Sequence, residues 1–411
     1  MDSPIHQDHR RRMRDLVVVG WSHAGQHAYT ASLGIAIPYV IVAFHTNYAL
    51  VGILLSVAAI IGSTLQALAL VVKQTSARIL FTIQNIGSVI GAATAALAPG
   101  IYVFMAGRLI QTGAGWPQHP IGGSYLANRY PNQRGTTLSW HVTAGNLGTL
   151  LAPLVMPSII AAYGWRTSFW VLSGLLATTV IAVAVWLPFP WHRSMTASDS
   201  AGEQGLGELR FWSRLRTLIS QRPVFALLLA GSVAAGGQGI GIVGVYTPGY
   251  LHSHLHLSAL DLSLVMTLLY LGAVVGPILM GSLADRRGHR VTLIINYWLG
   301  ALALLLFVLI ANDLVTLSLI GIAIGIFSYS ELSLRQTLFS DYLPPGMSRA
   351  GFGVFFTVSQ SIGALWIAII GITVSDGGFR DAFVLMAMTF IAAALIVIWG
   401  THRRPAIADQ T

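Results

Sequence analysis

Residues 16–43, LVVVGWSHAGQHAYTASLGIAIPYVIVA, contain no Asp, Glu, Lys or Arg, although two histidines and a glutamine interrupt the apolar run. About 20 mainly apolar residues in a helix cross the hydrocarbon core of a bilayer, where only helices and closed barrels satisfy their own backbone. The stretch is far too long for a barrel strand and is read as a first transmembrane helix. Eleven more apolar runs follow, at 49–72, 78–97, 100–127, 136–162, 167–188, 223–250, 258–283, 290–311, 314–341, 350–374 and 380–400. Composition agrees: 9% of the 411 residues are charged and 55% are hydrophobic, whereas soluble domains carry about 25% charged residues. So apolar a chain cannot cover a water-facing surface, which sets aside a soluble enzyme, a nucleic-acid-binding domain and a disordered protein. The absence of cysteine excludes disulfides and thiolate chemistry.

Charge placement sets the topology. Of the 23 basic residues, 19 fall in the N-terminal tail (Arg10, Arg11, Arg12, Arg14), at the ends of alternate connections, and in the tail at Arg403 and Arg404. Only Arg166 and Arg380 lie in the opposite loops, and Arg108 and Arg335 lie within spans. Cytoplasmic loops collect Lys and Arg, so both termini are expected in the cytosol. The net charge of +9 is then topology and calls for no nucleic-acid partner. The first 15 residues are too polar for a cleaved signal peptide. The expected organisation is a cytosolic tail (1–15), a six-helix bundle (16–188), a cytosolic loop (189–222), a second six-helix bundle (223–400) and a cytosolic tail (401–411). The halves echo each other: Gly25, Gln26 and Pro38 parallel Gly237, Gln238 and Pro248, and Pro131, Arg134 and Gly148 parallel Pro345, Arg349 and Gly363. Such duplication is the arrangement of transporters in which two bundles rock about a site near the midplane.

Between the eighth and ninth spans lies GSLADRRGHR, residues 281–290. Asp285 near a helix end, with Arg286, Arg287 and Arg290, forms a candidate conformational latch whose charge pairs differ between two states. This string resembles the loop signature of the major facilitator superfamily. The matching N-terminal loop keeps Lys73 and Arg78 but lacks the acid. In residues 107–120, GRLIQTGAGWPQHP, and in the Gly145-Asn146-Leu147-Gly148 run, the chain is similar to the fosmidomycin-resistance-like branch. That branch carries an Asn-Asp pair where this chain has Gln26 and His27. An imidazole there titrates near pH 6.5 and bears charge of the opposite sign, so the coupling chemistry does not transfer intact.

Buried polar groups in spans are costly and mark functional hypotheses. The resemblance implies that spans one, four, seven and ten line a cavity. Those spans carry His23, Gln26 and His27; Arg108, Gln111, Gln118 and His119; Gln238 and Tyr246; and Tyr329, Glu331 and Arg335, the candidate substrate and proton site. His23 and His27 are one turn apart, as are Glu331 and Arg335. The second pair is either a structural ion pair or a switch in which a substrate anion takes the arginine and the acid takes a proton. His23 is either a ligand or a core histidine donating to a backbone carbonyl, and His141 is expected close to the membrane surface. The cationic balance favours an anionic or zwitterionic substrate.

The expectation is an all-α, twelve-span secondary transporter in a bacterial-type inner membrane. It would be a monomer and not an enzyme, driven by the proton gradient, with no cofactor or resident metal and no phosphate-binding loop for ATP. The resemblance implies proton-coupled export of a small anionic or amphiphilic, fosmidomycin-like compound; the alternative is uptake of an organic anion by a symporter or facilitator. A transition-metal reading would take His23, His27, His119 and Glu331 as ligands.

Overall fold

The computed structural model describes residues 4–66, 68, 72, 76–130, 133–188, 216, 219–343 and 348–401. Most of the expected central loop, the loop at 73–75, Pro131, Pro345 and the tail with Arg403 and Arg404 lie outside the described residues. The described chain contains helices and no strand. They are α1 (Pro4–Ala43), α2 (Tyr48–Leu65), α3 (Ala77–Leu97), α4 (Ile101–Ala114), α5 (Pro120–Arg129), α6 (Arg134–Trp186), α7 (Arg222–Ala234), α8 (Gly244–Gly249), α9 (Ala259–Arg287), α10 (His289–Leu309), α11 (Leu314–Asp341) and α12 (Ser348–Gly400).

Eight segments among these residues are long and apolar enough to cross a bilayer. Two of them, Thr137–Trp186 and Val354–Gly400, with 50 and 47 residues, are long enough for two crossings. Each turns at a single glycine, Gly164 with φ 82° and Gly378 with φ 85°, a left-handed conformation that a Cβ penalises. Both glycines fall in the gaps that hydropathy leaves between spans, so α6 and α12 each account for two passages. With α1 and the α4–α5 pair, the twelve expected spans are present. The polar start of the chain joins this pattern, since α1 begins at Pro4 and runs through the segment read above as a tail.

Two connections depart from regular helix. Between α4 and α5, Pro117 lies within the break and Pro120 opens α5; neither proline has an N–H to donate to the ladder, which resumes with Ile121 donating to the Pro117 carbonyl. The seventh span, Arg222–His254, passes from α7 through a 3-10 turn (Ala235–Gly237) and a π turn (Gly239–Val243) into α8, then a second π turn (Tyr250–His254). Gly236, Gly237, Gly239, Gly241, Gly244 and Pro248 all lie in this stretch.

The chain divides into two compact units, one of Met1–His192 with Gly244–Tyr270, the other of Arg193–Val243 with Leu271–Thr411. In the first, α1, α3, α5 and α6 meet around Val18, Val19, Leu80, Phe81, Leu126 and Val183. At its other end Phe104, Trp165 and Phe169 meet edge to face. In the second, Tyr297 with Phe390 and Phe307 with Phe383 hold α10 against α12. Many outward side chains are apolar, Ile181, Val185, Ile278 and Leu319 among them. Large apolar surface of this kind suits lipid and not water.

Candidate functional site

In the first unit, α1 presents Gln26, His27 and Thr30 within about one turn, facing α4 and α6. Arg108 and Gln111 stand three residues apart on α4, so their side chains share a face. The Arg108 guanidinium donates from Nη1 to Gln111 Oε1 at 2.5 Å and to Thr30 Oγ1 at 3.2 Å. Among the described residues no carboxylate pairs with it. Tyr29, on the same turn of α1 as Thr30, is fully buried and its hydroxyl has no hydrogen-bond partner. Gln26 donates to the Gly115 carbonyl at 3.2 Å, at the end of α4 where the helical ladder stops.

Beside this group lies a histidine cluster. His119 sits in the α4–α5 break, and His23 and His27 sit one turn apart on α1; their ligand-capable atoms all lie within 4.8 Å of one another. His141 of α6 stacks on His23, with ring centroids 4.2 Å apart. It is buried among the helices. His23 Nδ1 meets the His141 carbonyl at 2.8 Å, the hydrogen bond expected of a core histidine, yet its Nε2 is buried without a partner. His27 Nδ1 meets Thr149 Oγ1 at 3.0 Å.

Gln118 belongs to a different structure. It is fully buried, accepting from Gln84 at 2.5 Å and Ser22 at 3.1 Å and donating to the Val19 carbonyl at 3.3 Å. The single Ser22 hydroxyl hydrogen lies between Gln118 Oε1 and Asn85 Oδ1, the latter at 2.9 Å. This knot ties α1 and α3 to the α4–α5 break. Sequence reasoning passed over Gln84 and Asn85, because the expected cavity helices did not include the third span; two adjacent amides in an apolar run were the available signal. Asp15 was also passed over. It is fully buried at the polar end of α1 and accepts from Tyr125 at 2.8 Å and Arg129 at 3.1 Å.

In the second unit, Glu331 and Arg335 form an ion pair on α11, Nε to Oε1 at 2.6 Å, with both side chains sealed from solvent. Tyr297 of α10 donates to the same Oε1 at 2.9 Å, and Arg335 Nη1 donates to Ser359 Oγ at 2.9 Å. The guanidinium lies over the Phe355 ring, 4.5 Å from its centroid. A Cβ on Gly231 would collide with the guanidinium, so α7 has room for it only where there is no side chain. Glu331 Oε2 is buried without a partner. Tyr297 and Ser359 come from α10 and α12, outside the helices that the sequence favoured. Glu331, grouped with the histidines in the metal reading, is thus held by Tyr297 and Arg335. Of the remaining candidates, Tyr329 packs against Gly239, half-buried Gln238 follows the 3-10 turn, and Tyr246 is buried in α8 in the first unit, its ring 6.2 Å from that of Tyr48.

The candidate latch is only partly engaged. Asp285, Arg286 and Arg287 are exposed, and Asp285 lies 3.8 Å from His289. Arg290 donates to Thr401 at 3.0 Å and to the Ile398 carbonyl at 3.2 Å. The shortest contact of this loop is one that sequence reasoning missed, His289 Nδ1 to Asp341 Oδ2 at 2.6 Å, joining the start of α10 to the end of α11. An apolar cavity of 720 Å³ between α1 and α6, lined by residues such as Trp21, Trp140 and Leu151, includes none of the candidate residues.

The architecture is that of a multi-pass membrane protein with a transporter fold. The Major Facilitator Superfamily model matches residues 22–366 and 227–410, and the chain belongs to that family. It is 24% identical over 282 residues to the cis,cis-muconate transport protein of Acinetobacter baylyi, a match covering 66% of this chain and 65% of that protein. It is 25% identical over 329 residues to the citrate-proton symporter of Klebsiella pneumoniae, covering 74% of this chain and 69% of the symporter. A variant of the nucleoside transporter NupG superposes with a TM-score of 0.78 at 16% identity, covering 95% of this chain and all of that one, a likeness of fold alone.

Proposed function

We propose that the protein is a secondary active transporter of a small organic anion, working by alternating access and coupled to protons. Arg108 carries this reading: a guanidinium within the spans, oriented by Gln111 and Thr30 and neutralised by no carboxylate among the described residues. Such a cation is complementary to a ligand that brings its own carboxylate, and arginine recognises carboxylates through paired hydrogen bonds. The buried, unpartnered Tyr29 hydroxyl supplies one more polar group beside it. Relatives named for muconate and citrate support a carboxylate substrate.

Proton coupling is assigned to Glu331. Its Oε1 takes both existing hydrogen bonds while Oε2 takes none, so Oε2 can take a proton without breaking either bond, at the cost of the counter-charge that the carboxylate gives Arg335. Gln238, Tyr246 and Tyr329 are proposed as further cavity residues, and Asp285, Arg286, Arg287 and Arg290 as the latch. The bundles at 16–188 and 223–400 are the proposed moving parts, in a bacterial-type inner membrane with both termini in the cytosol and the protein a monomer.

Inward symport is the direction that the citrate-proton relative supports. Export of an anionic, fosmidomycin-like compound is the second reading, carried by the branch-like residues at 107–120 and 145–148. The test is reconstitution into liposomes with an imposed pH gradient. Accumulation of di- or tricarboxylates together with protons supports symport, and loss of substrate against proton entry supports export. Carboxylates that neither bind nor move, across a broad panel, would refute the anion reading.

A further inference from the structure

We infer that His23, His27 and His119 form a binding site for a divalent transition-metal ion, with Zn²⁺, Cu²⁺ and Ni²⁺ the ions suited to imidazole donors. Tautomers are fixed by what each ring touches. The His141 carbonyl can only accept, so His23 Nδ1 must carry the hydrogen and Nε2 presents a lone pair. That lone pair is buried and meets no donor. Thr149 Oγ1 lies 3.4 Å from the Gly145 carbonyl, which can take its hydroxyl hydrogen, and its oxygen then accepts from His27 Nδ1 at 3.0 Å. His27 therefore also offers Nε2. A ring whose one nitrogen donates to a protein oxygen while the other faces its neighbours is the arrangement that prepares a histidine to hold a metal.

The third imidazole comes from a different place in the chain. His119 is exposed in the α4–α5 break, whereas His23 is buried and His27 intermediate, so the cluster is accessible through His119. The ligand atoms lie within 4.8 Å of one another, and a tetrahedral ion with bonds near 2.0–2.1 Å needs its ligands about 3.4 Å apart. Rotations of the imidazole side chains close the remaining distance, and His119, the most exposed of the three, has the most room to move. Gly145 fixes the inner wall, since a Cβ there would stand 2.9 Å from the His23 ring. Three nitrogens leave a fourth position for water or another oxygen ligand. The ion would tie α1 to the break that separates α4 from α5.

The test uses the full-length protein in detergent, with any affinity tag removed so that no added histidines compete. Zn²⁺ is titrated calorimetrically, and Co²⁺ is followed by its visible absorption, which is intense only in four-coordinate sites. One equivalent should bind saturably. His119→Gln and His27→Gln should each abolish that equivalent, and Thr149→Val, which removes the hydroxyl oxygen behind His27, should weaken it about 10- to 100-fold. His119 is exposed, so its replacement leaves the helix packing intact, and unchanged gel-filtration and melting profiles without metal check this. Zn²⁺ should also raise the melting temperature of the unaltered protein and not that of His119→Gln. Absence of a saturable equivalent, or one of equal affinity in His119→Gln, overturns the inference.

Discussion

Replacing Glu331 by Gln changes one charge at a place that water does not reach. Glu331 is 0% exposed and Arg335 1%. In the variant the guanidinium keeps the Ser359 hydroxyl at 2.9 Å and the Phe355 face at 4.5 Å, and the new amide oxygen can still accept from Arg335 and Tyr297. What disappears is the counter-charge. Removing one partner of a buried pair costs about 3–5 kcal/mol. The surviving hydrogen bonds and a cation–π contact worth ~2 kcal/mol when desolvated place Glu331→Gln at the lower end of that range. Arg335→Gln costs more, because it leaves the carboxylate without its cation and empties the volume beside Gly231. Replacing both together removes both charges and should be less damaging than the two single losses added, since uncharged partners of similar size often serve as well as a buried pair. Thermal unfolding of the purified protein, read as the fraction still monodisperse after heating, measures all three. A Glu331→Gln protein that melts with the unaltered one, or a double variant whose loss equals the sum of the single losses, would refute the reasoning.

Other consequences are local. Asp15→Asn should loosen the polar end of α1 by about 1–3 kcal/mol, because a fully buried acceptor of the Tyr125 and Arg129 hydrogen bonds loses its charge; faster proteolysis near Arg129 would register it. At the start of α11, Asp313 accepts from the Thr316 hydroxyl and from the backbone N–H groups of Thr316 and Val315, which holds its carboxyl below the ordinary value. A lowered folded-state pKa means that this cap stabilises the helix above the unfolded value of about 3.9 and is lost as pH falls through the lower folded value. Amide exchange at Val315 and Thr316 should therefore speed up only in acid, and in Asp313→Ala it should be fast and independent of pH once the intrinsic rate is divided out.

Hydropathy was enough to locate the helices, because a bilayer demands long apolar runs and the gaps between them are short. Gly164 and Gly378 show how fine this reading was: each predicted gap holds the glycine at which a long helix turns. The polar constellations were legible only in part. One-turn spacing found the Glu331–Arg335 pair and the His23–His27 pair, since both lie on one helix. Partners from other helices left no such trace: Tyr297 and Ser359 around Arg335, Gln84 and Asn85 around Gln118, and Asp341 opposite His289 are far away in sequence. His119 joined its cluster through a helix break whose geometry two prolines set, and periodicity cannot carry across such a break. Asp15 was hidden by its place among arginines, where an acid looks like part of a solvated tail.

The central claim is that Arg108 receives the substrate's negative charge, and the most direct measurement is carboxylate counterflow in proteoliposomes containing the unaltered protein, Arg108→Lys or Arg108→Gln. The account predicts exchange of a labelled di- or tricarboxylate by the unaltered protein. Arg108→Lys should exchange more weakly, because a point charge lacks the planar fork that pairs with a carboxylate, and Arg108→Gln should show none while remaining folded. Exchange by Arg108→Gln at the unaltered rate would contradict it.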